Sequence, residues 1–184
     1  MAGAQQAKRT LDLKARVADP RLACQACREL PATDMGTRLQ VDTHFRHTAG
    51  ELMFREEDKA APRLIAYDRR AYPGQREARA TVSETTEGAA IREALGDVLG
   101  IDVVVTKTRR LLQANKVRIH VDEVSGLHGG FVELEIDLPV TTSRQARERE
   151  LDDVRVALQI GPDDMVGQSY AELLAAELGP SKAT

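Results

Sequence analysis

Arg118-Ile119-His120-Val121-Asp122-Glu123-Val124-Ser125-Gly126-Leu127-His128-Gly129-Gly130-Phe131-Val132-Glu133-Leu134-Glu135-Ile136-Asp137-Leu138 carries more architectural information than any other stretch of this 184-residue chain. It predicts two strands joined by a glycine-rich turn. In the second strand Val132, Leu134, Ile136 and Leu138 point one way, and Glu133, Glu135 and Asp137 point the other. In the first, Arg118, His120 and Asp122 oppose Val117, Ile119 and Val121. Alone, this is a half-buried hairpin with one wet face.

Other segments repeat the pattern. Thr10, Asp12, Lys14 and Arg16 oppose Leu11, Leu13, Ala15 and Val17. Gln40, Asp42, His44 and Arg46 oppose Leu39, Val41, Thr43 and Phe45. Ile65, Tyr67 and Arg69 share a face, as do Lys107 and Arg109, with Arg110 opposite. Two architectures accommodate this: one sheet turned to solvent, or a closed barrel with a polar, ion-binding interior and helices outside. A charge inside a barrel is costly unless paired. Acidic and basic strands around one lumen therefore suggest a site for an anion bridged by metal.

Several blocks also resemble a known family. Leu13-Lys14-Ala15-Arg16-Val17 is similar to the end of an N-terminal acidic-x-acidic-x-Lys strand. Gln40–Phe45 and Gly50–Glu56 resemble a second block, Leu64–Arg69 a third, and Val105–Arg110 a basic strand. With the 118–138 hairpin and the closing Ser169-Tyr170-Ala171-Glu172-Leu173-Leu174, their order and spacing resemble CYTH proteins of the triphosphate tunnel family, in particular the class IV adenylyl cyclase-like branch. The resemblance implies an α+β fold, a closed antiparallel β-barrel of about eight strands with helices packed outside. Residues 1–184 are expected to form a single such domain, with disordered tails at about 1–8 and 180–184.

The residue types suit a triphosphate. Arginine supplies two-pronged contacts to phosphate and lysine supplies point charge. Lys14, Arg55, Arg69, Lys107, Arg109 and Arg118 are the candidate cradle. Mg²⁺ or Mn²⁺ prefers carboxylate and phosphate oxygens. Glu133 and Glu135 project into the same space, with Asp122 on the neighbouring strand. The resemblance places Glu133 and Glu135 in the metal-binding set, Asp122 near it, and Lys14, Arg55, Lys107, Arg109 and Arg118 at phosphate-binding positions. Arg110, Glu56 and Glu123 read as surface charges, and Asp137 as a partner for a cation at the barrel mouth.

The departures from the family pattern are specific. Its two N-terminal glutamates are replaced by Thr10 and Asp12, and a basic residue two positions before Arg55 is replaced by Met53. The resemblance implies cyclisation first, with two alternatives. In cyclisation, metal held by Asp12, Glu133, Glu135 and Asp122 orients ATP, and the ribose 3′-hydroxyl attacks the α-phosphate to give cyclic AMP and pyrophosphate. Lys107 and Asp122 are the catalytic candidates, Asp122 either helping to deprotonate the hydroxyl or only holding metal. In hydrolysis the same cradle presents water to the terminal phosphate of an inorganic or thiamine triphosphate-like substrate. The third outcome is a divergent tunnel that binds or converts a different phosphate or diphosphate ligand.

Composition sets the remaining bounds. Net charge is −3 and Trp is absent, with only three Phe and three Tyr, which argues against nucleic-acid partners. No apolar run approaches the roughly 20 residues that span a bilayer. The N-terminus lacks the apolar stretch of a secretory signal, so the expected location is cytoplasmic. The expected partner is a small nucleotide or polyphosphate, and the resemblance allows a homodimer. Asp19-Pro20 predicts a helix to about Leu30, Pro31–Gly36 a turn, Arg38–Arg70 three strands, Glu77–Val82 a fourth, and Ser83-x-x-Thr86 the start of a helix ending near Gly100. Ser143 predicts a helix through Ile160, and a last helix runs to Leu178 before Gly179-Pro180. Cys24-x-x-Cys27 has metal or redox spacing without a second pair, and the four histidines form no spaced ligand set.

Overall fold

The alternation that runs through the strands closes on itself. The computed structural model describes residues 6–46, 50–72 and 75–178. The elements are β1 (Gln6–Val17), α1 (Pro20–Arg28), β2 (Ala32–Phe45), β3 (Glu51–Glu57), β4 (Ala60–Tyr72), β5 (Gln75–Glu84), α2 (Gly88–Leu99), β6 (Ile101–Ala114), β7 (Val117–Val124), β8 (Gly130–Asp137), α3 (Arg144–Ala157) and α4 (Tyr170–Leu178). The strands form a closed barrel in the order β1-β5-β4-β3-β2-β6-β7-β8, every neighbour antiparallel. The α+β barrel expected from the resemblance is therefore the fold, and the open-sheet alternative is set aside.

The main core lies between barrel and helices. Leu11, Leu13, Ile119, Leu134 and Ile136 on the outer face pack with Leu151 of α3 and Cys27 of α1. Local chemistry places the helices. Asp19 accepts from the Arg21 N–H and Pro20 opens α1. Ser143 Oγ accepts from the Ala146 N–H. At α4, Ser169 Oγ accepts from the Glu172 N–H at 3.1 Å and Glu172 accepts from the Ser169 N–H at 2.6 Å. This capping box fixes where α4 starts, and so where Tyr170 lies. In the β7–β8 turn Gly129 has φ +74°, and a Cβ there would sit 2.8 Å from the Val17 carbonyl oxygen.

Three boundaries differ from the sequence expectations. Pro31–Gly36 is not a free turn: Ala32–Asp34 already pair with Leu112–Ala114, and a register shift between Asp34 and Thr37 is accommodated by Gly36 at φ +89°. Ser83 does not open a helix. It pairs with Leu64 in β5, and α2 begins only at Gly88, without a side-chain cap. α3 ends at Ala157, where Gln159 takes φ +56°. The Gly179-Pro180 stop and residues 1–5 of the expected N-terminal tail lie outside the described residues. Among the described residues, no helix is long and apolar enough to cross a membrane.

Candidate functional site

The inward positions of all eight strands line a cavity of about 660 Å³. Thr10, Asp12 and Lys14 enter from β1, Arg38, Gln40 and Asp42 from β2, Met53, Arg55 and Glu57 from β3, and Arg63, Ile65 and Tyr67 from β4. Lys107 and Arg109 enter from β6, Arg118 and His120 from β7, Glu133 and Glu135 from β8, and Tyr170 from the start of α4. The predicted cradle residues Lys14, Arg55, Lys107, Arg109 and Arg118 thus share one lumen with Asp12, Glu133 and Glu135. Arg69 occupies the β4 register position opposite Ala78, and its side chain lies outside the described residues.

Three ion clusters organise the charges. In the first, Arg55 donates two hydrogen bonds to Asp42 (2.6 and 2.8 Å), and Lys107 Nζ donates to Asp42 Oδ2 at 2.5 Å. Burial raises the Asp42 pKa, but the Arg55 and Lys107 charges overcome that and hold it well below the carboxylate range. Burial lowers the Lys107 pKa. Asp42 opposes the shift, but Arg55 and Arg109 add to it, and the net result is downward.

The second cluster closes one end. Arg109 makes bonds of 2.7 and 2.5 Å to Asp122 and one of 2.5 Å to Glu133. Lys14 Nζ lies 3.2 Å from Glu133 Oε1 and donates to the Gln168 carbonyl at 3.1 Å. Burial raises the Glu133 pKa, yet Lys14 and Arg109 hold it well below normal. Tyr170 donates its hydroxyl to Asp122 at 2.7 Å, and its ring lies beneath Lys14 Nζ at 3.7 Å. Burial, then the nearby Glu133 and Asp122 charges, raise the Tyr170 pKa far above normal, so it remains a donor. His120, 4.0 Å from Glu133, has its pKa lowered by burial and by Arg109. Asp122 is fully buried, with both oxygens bonded to Arg109 and one also to Tyr170, and it does not line the cavity.

The third cluster sits where β1 meets β8. Arg118 donates to Glu135 at 2.6 Å and to Asp137 at 2.7 Å. Asp12 is the direct register partner of Glu135, as Lys14 is of Glu133. Asp12, Glu133 and Glu135 offer the hard oxygen donors that Mg²⁺ or Mn²⁺ prefers. Among the described residues no three His, Cys, Asp or Glu side chains converge into a preformed ligand set. Glu133 and Glu135 instead contact Arg109, Lys14 and Arg118. The donor chemistry fits such an ion, and in this arrangement the two glutamates are engaged by cations.

Sequence reading missed a fourth group. Glu57 pairs with Arg63, accepts from Gln40 Nε2 at 2.8 Å and lies 4.0 Å from Arg38. Arg63 Nε and Gln40 Oε1 are buried without a hydrogen-bond partner. The signal was there: Arg38 extends the Gln40–Asp42–His44 face by one step, and Arg63 extends the Ile65–Tyr67 face. Asp42 was visible on that face without being assigned a role.

The lumen is therefore polarised. Among the described residues around β2 to β5 and Lys107 of β6, Arg38, Arg55, Lys59, Arg63 and Lys107 stand with Asp42, Glu57 and Glu84. Near β1, β7 and β8, Lys14 and Arg118 stand among Asp12, Glu133, Glu135 and the half-exposed Asp137. An anion is drawn to the first region and a cation to the second. Thr10 and Met53 face the lumen as well; Thr10 stands opposite Asp137 in the β1–β8 register and Met53 opposite Ile65 in the β3–β4 register. Arg110 lies outside, paired with Asp34. Cys24 and Cys27 sit on α1 outside the barrel as free thiols. Burial pushes Cys27 up to about 11.

Comparison with known proteins agrees with this architecture. The CYTH domain family matches residues 12–164. The PH1012 protein of Pyrococcus horikoshii superposes with a TM-score of 0.80 at 20% identity, covering 90% of this chain and 99% of its own. A candidate adenylate cyclase from Vibrio parahaemolyticus gives 0.77 at 19% identity, covering 92% and 99%. The Hippeastrum candidate adenylyl cyclase HpAC1, described as having a dominant triphosphatase activity, gives 0.64 at 16% identity, covering 91% and 95%. At these identities the likeness shows the fold alone. No curated protein matches the chain. CYTH proteins include cyclases and triphosphatases and generally use divalent metals. With the family match spanning most of its length and the closed tunnel described above, this chain belongs to the CYTH domain family.

Proposed function

We propose that this protein is a metal-dependent enzyme that holds the polyphosphate part of a small molecule in the tunnel and hydrolyses its terminal phosphoanhydride bond. The observation that carries this reading is the opposition, inside one barrel lumen, of a cation-rich region around Arg55 and Lys107 to the carboxylates Asp12, Glu133 and Glu135. Arg55 and Lys107 grip phosphate oxygens, and Arg63 Nε supplies an unused buried donor. Lys14, Arg109 and Arg118 exchange carboxylate for phosphate, which frees Glu133 and Glu135, with Asp12, to hold Mg²⁺ or Mn²⁺. The ion, when bound, neutralises phosphate charge and activates water. The water oxygen bonds to the terminal phosphorus, the bridging P–O bond breaks, and the proton leaves to solvent. Asp122 acts as a positioning residue, holding the Arg109 guanidinium by two bonds. Arg69 is retained in the cradle by its register position.

A second reading, cyclisation of ATP, is favoured by the fold match to candidate adenylate cyclases from Vibrio parahaemolyticus and Bacillus halodurans. Phosphorus NMR of the protein with inorganic triphosphate or ATP, and Mg²⁺ or Mn²⁺, separates the two. Orthophosphate with a diphosphate product means hydrolysis. Pyrophosphate with cyclic AMP means cyclisation. Spectra that stay unchanged over many enzyme equivalents, for both substrates and both metals, contradict an enzymatic role.

A further inference from the structure

The lumen has a second, apolar wall that the phosphate chemistry does not use. Met53 of β3, Ile65 and Tyr67 of β4, and Ala80 and Val82 of β5 form a hydrophobic cluster separate from the core beneath the helices. All five line the same cavity as the ion clusters. Their strands are consecutive around the barrel, so the side chains form one continuous surface. Met53 and Ile65 are direct cross-strand partners, as are Ile65 and Val82. Met53 stands two residues from Arg55 on the same face of β3, so the apolar wall begins where the Asp42–Arg55–Lys107 cluster ends.

A ligand made only of phosphate would make no apolar contact with this surface. The wall is also a poor seat for a nucleobase, which needs stacking and paired polar edges. Tyr170 has its ring face under Lys14 Nζ, and the Tyr67 hydroxyl is committed to Glu51 at 2.5 Å. The rest of the wall offers no donor and, apart from the weakly accepting Met53 thioether, no acceptor.

We propose that the natural ligand is a phosphate ester of an aliphatic alcohol, with its phosphates between Arg55 and Lys107 and its carbon chain along Met53, Ile65 and Val82. This rests on the phosphate-binding reading above and names the substrate class of the same site. A charged head with an apolar tail matches a cavity of this size with one charged and one apolar wall.

The test is calorimetric titration of the full-length protein, with Mg²⁺, by inorganic diphosphate, n-butyl diphosphate, n-octyl diphosphate and ADP. Transfer of each methylene to an apolar wall, even half completed, strengthens binding about twofold. The octyl ester should therefore bind at least about 15-fold tighter than the butyl ester, and tighter than ADP. Met53→Gln should remove most of that octyl advantage and leave inorganic diphosphate within about twofold of its original affinity. If Met53→Gln fails to melt cooperatively, Val82→Thr replaces it and should shrink the advantage in the same direction. Equal affinities for inorganic, butyl and octyl diphosphates, or tighter binding of ADP than of the octyl ester, overturn the aliphatic assignment and leave the phosphate reading standing. Absence of binding by any phosphate compound overturns both.

Discussion

β8 and β4 use the same two-residue alternation with opposite polarity. In β8 the charged Glu133 and Glu135 face the lumen, and Leu134 and Ile136 are fully buried outside, beneath α3. In β4 the apolar Ile65 and Tyr67 face the lumen beyond Arg63, and Ala66 and Asp68 are exposed outside. The charged wall is backed by a packed core: α1 and α3 lie on β7 and β8, and α4 lies on β6. Buried charges need such support, because holding unsolvated ions at fixed distances costs more than packing aliphatic groups. The difference teaches that strand alternation reports two faces without reporting which one is inside. In a closed barrel the inner face follows the ligand, which on our proposals has a charged part and an apolar part.

The contrast between the walls can be tested by removing one group at a time. The largest effect is expected from Glu133→Gln, which keeps the shape of the side chain and removes a carboxylate from the charged wall. Turnover with Mg²⁺ should fall on the order of 100-fold or more, read as product formed per minute in the phosphorus NMR assay.

Next is Asp42→Asn, which leaves Arg55 and Lys107 buried without their counter-charge. It should cost about 3–5 kcal/mol in urea unfolding. Because the lost anion is what the ligand supplies, millimolar inorganic triphosphate should recover more stability in this variant than in the native protein. Equal stabilisation of both would show that the phosphate does not contact this pair.

A smaller effect is expected from pH. Burial and Arg109 hold the His120 pKa below its ordinary 6.5. The unfolded chain therefore takes up a proton below pH 6.5 that the folded chain refuses, and stability falls as pH drops. The slope from this one group is at most about 1.4 kcal/mol per pH unit. Glu133, Asp42 and Asp122 have lowered folded pKa values, so their contribution is complete above their unfolded values and is lost as pH falls further. His120→Gln should abolish only the first part of the decline, which sets in below pH 6.5, in thermal melts at stepwise lower pH.

The smallest effect lies outside the barrel. Burial raises both the Cys24 and Cys27 thiols, so little thiolate exists at neutral pH. Cys24→Ser should change stability by less than about 0.5 kcal/mol and leave turnover unaltered. Rapid alkylation of either thiol in the folded protein at pH 7.5 would contradict this placement.

Much of the barrel could be read from the chain because six or more residues of alternation recur in β1, β2, β7 and β8, and an inward polar or charged group every second residue leaves few folds that can pair it. The strand ends were harder. Ala32–Asp34 follow a proline and contain turn-forming residues, yet pairing with β6 outweighs that local preference. Ser83-x-x-Thr86 has the spacing of a helix start, but the barrel needs β5 to continue to Glu84 to match Arg63. Within the site, single residues were visible and partnerships were not. Asp122 looked like a base or metal ligand, and only the fold brings Tyr170 across from α4, 48 residues later, to share its carboxylate with Arg109. Met53 registered as a missing cation, and its apolar company is apparent only once Ile65 and Val82 pair beside it.

The most direct test of the polarised tunnel is calorimetric titration of inorganic triphosphate with Mg²⁺ into the native protein and into Lys107→Met. The account predicts one bound triphosphate per chain in the native protein and affinity weakened at least about tenfold, the equivalent of roughly 1.4 kcal/mol, in a variant that still melts cooperatively. Equal affinity in the two proteins, or no heat of binding in either, would contradict it.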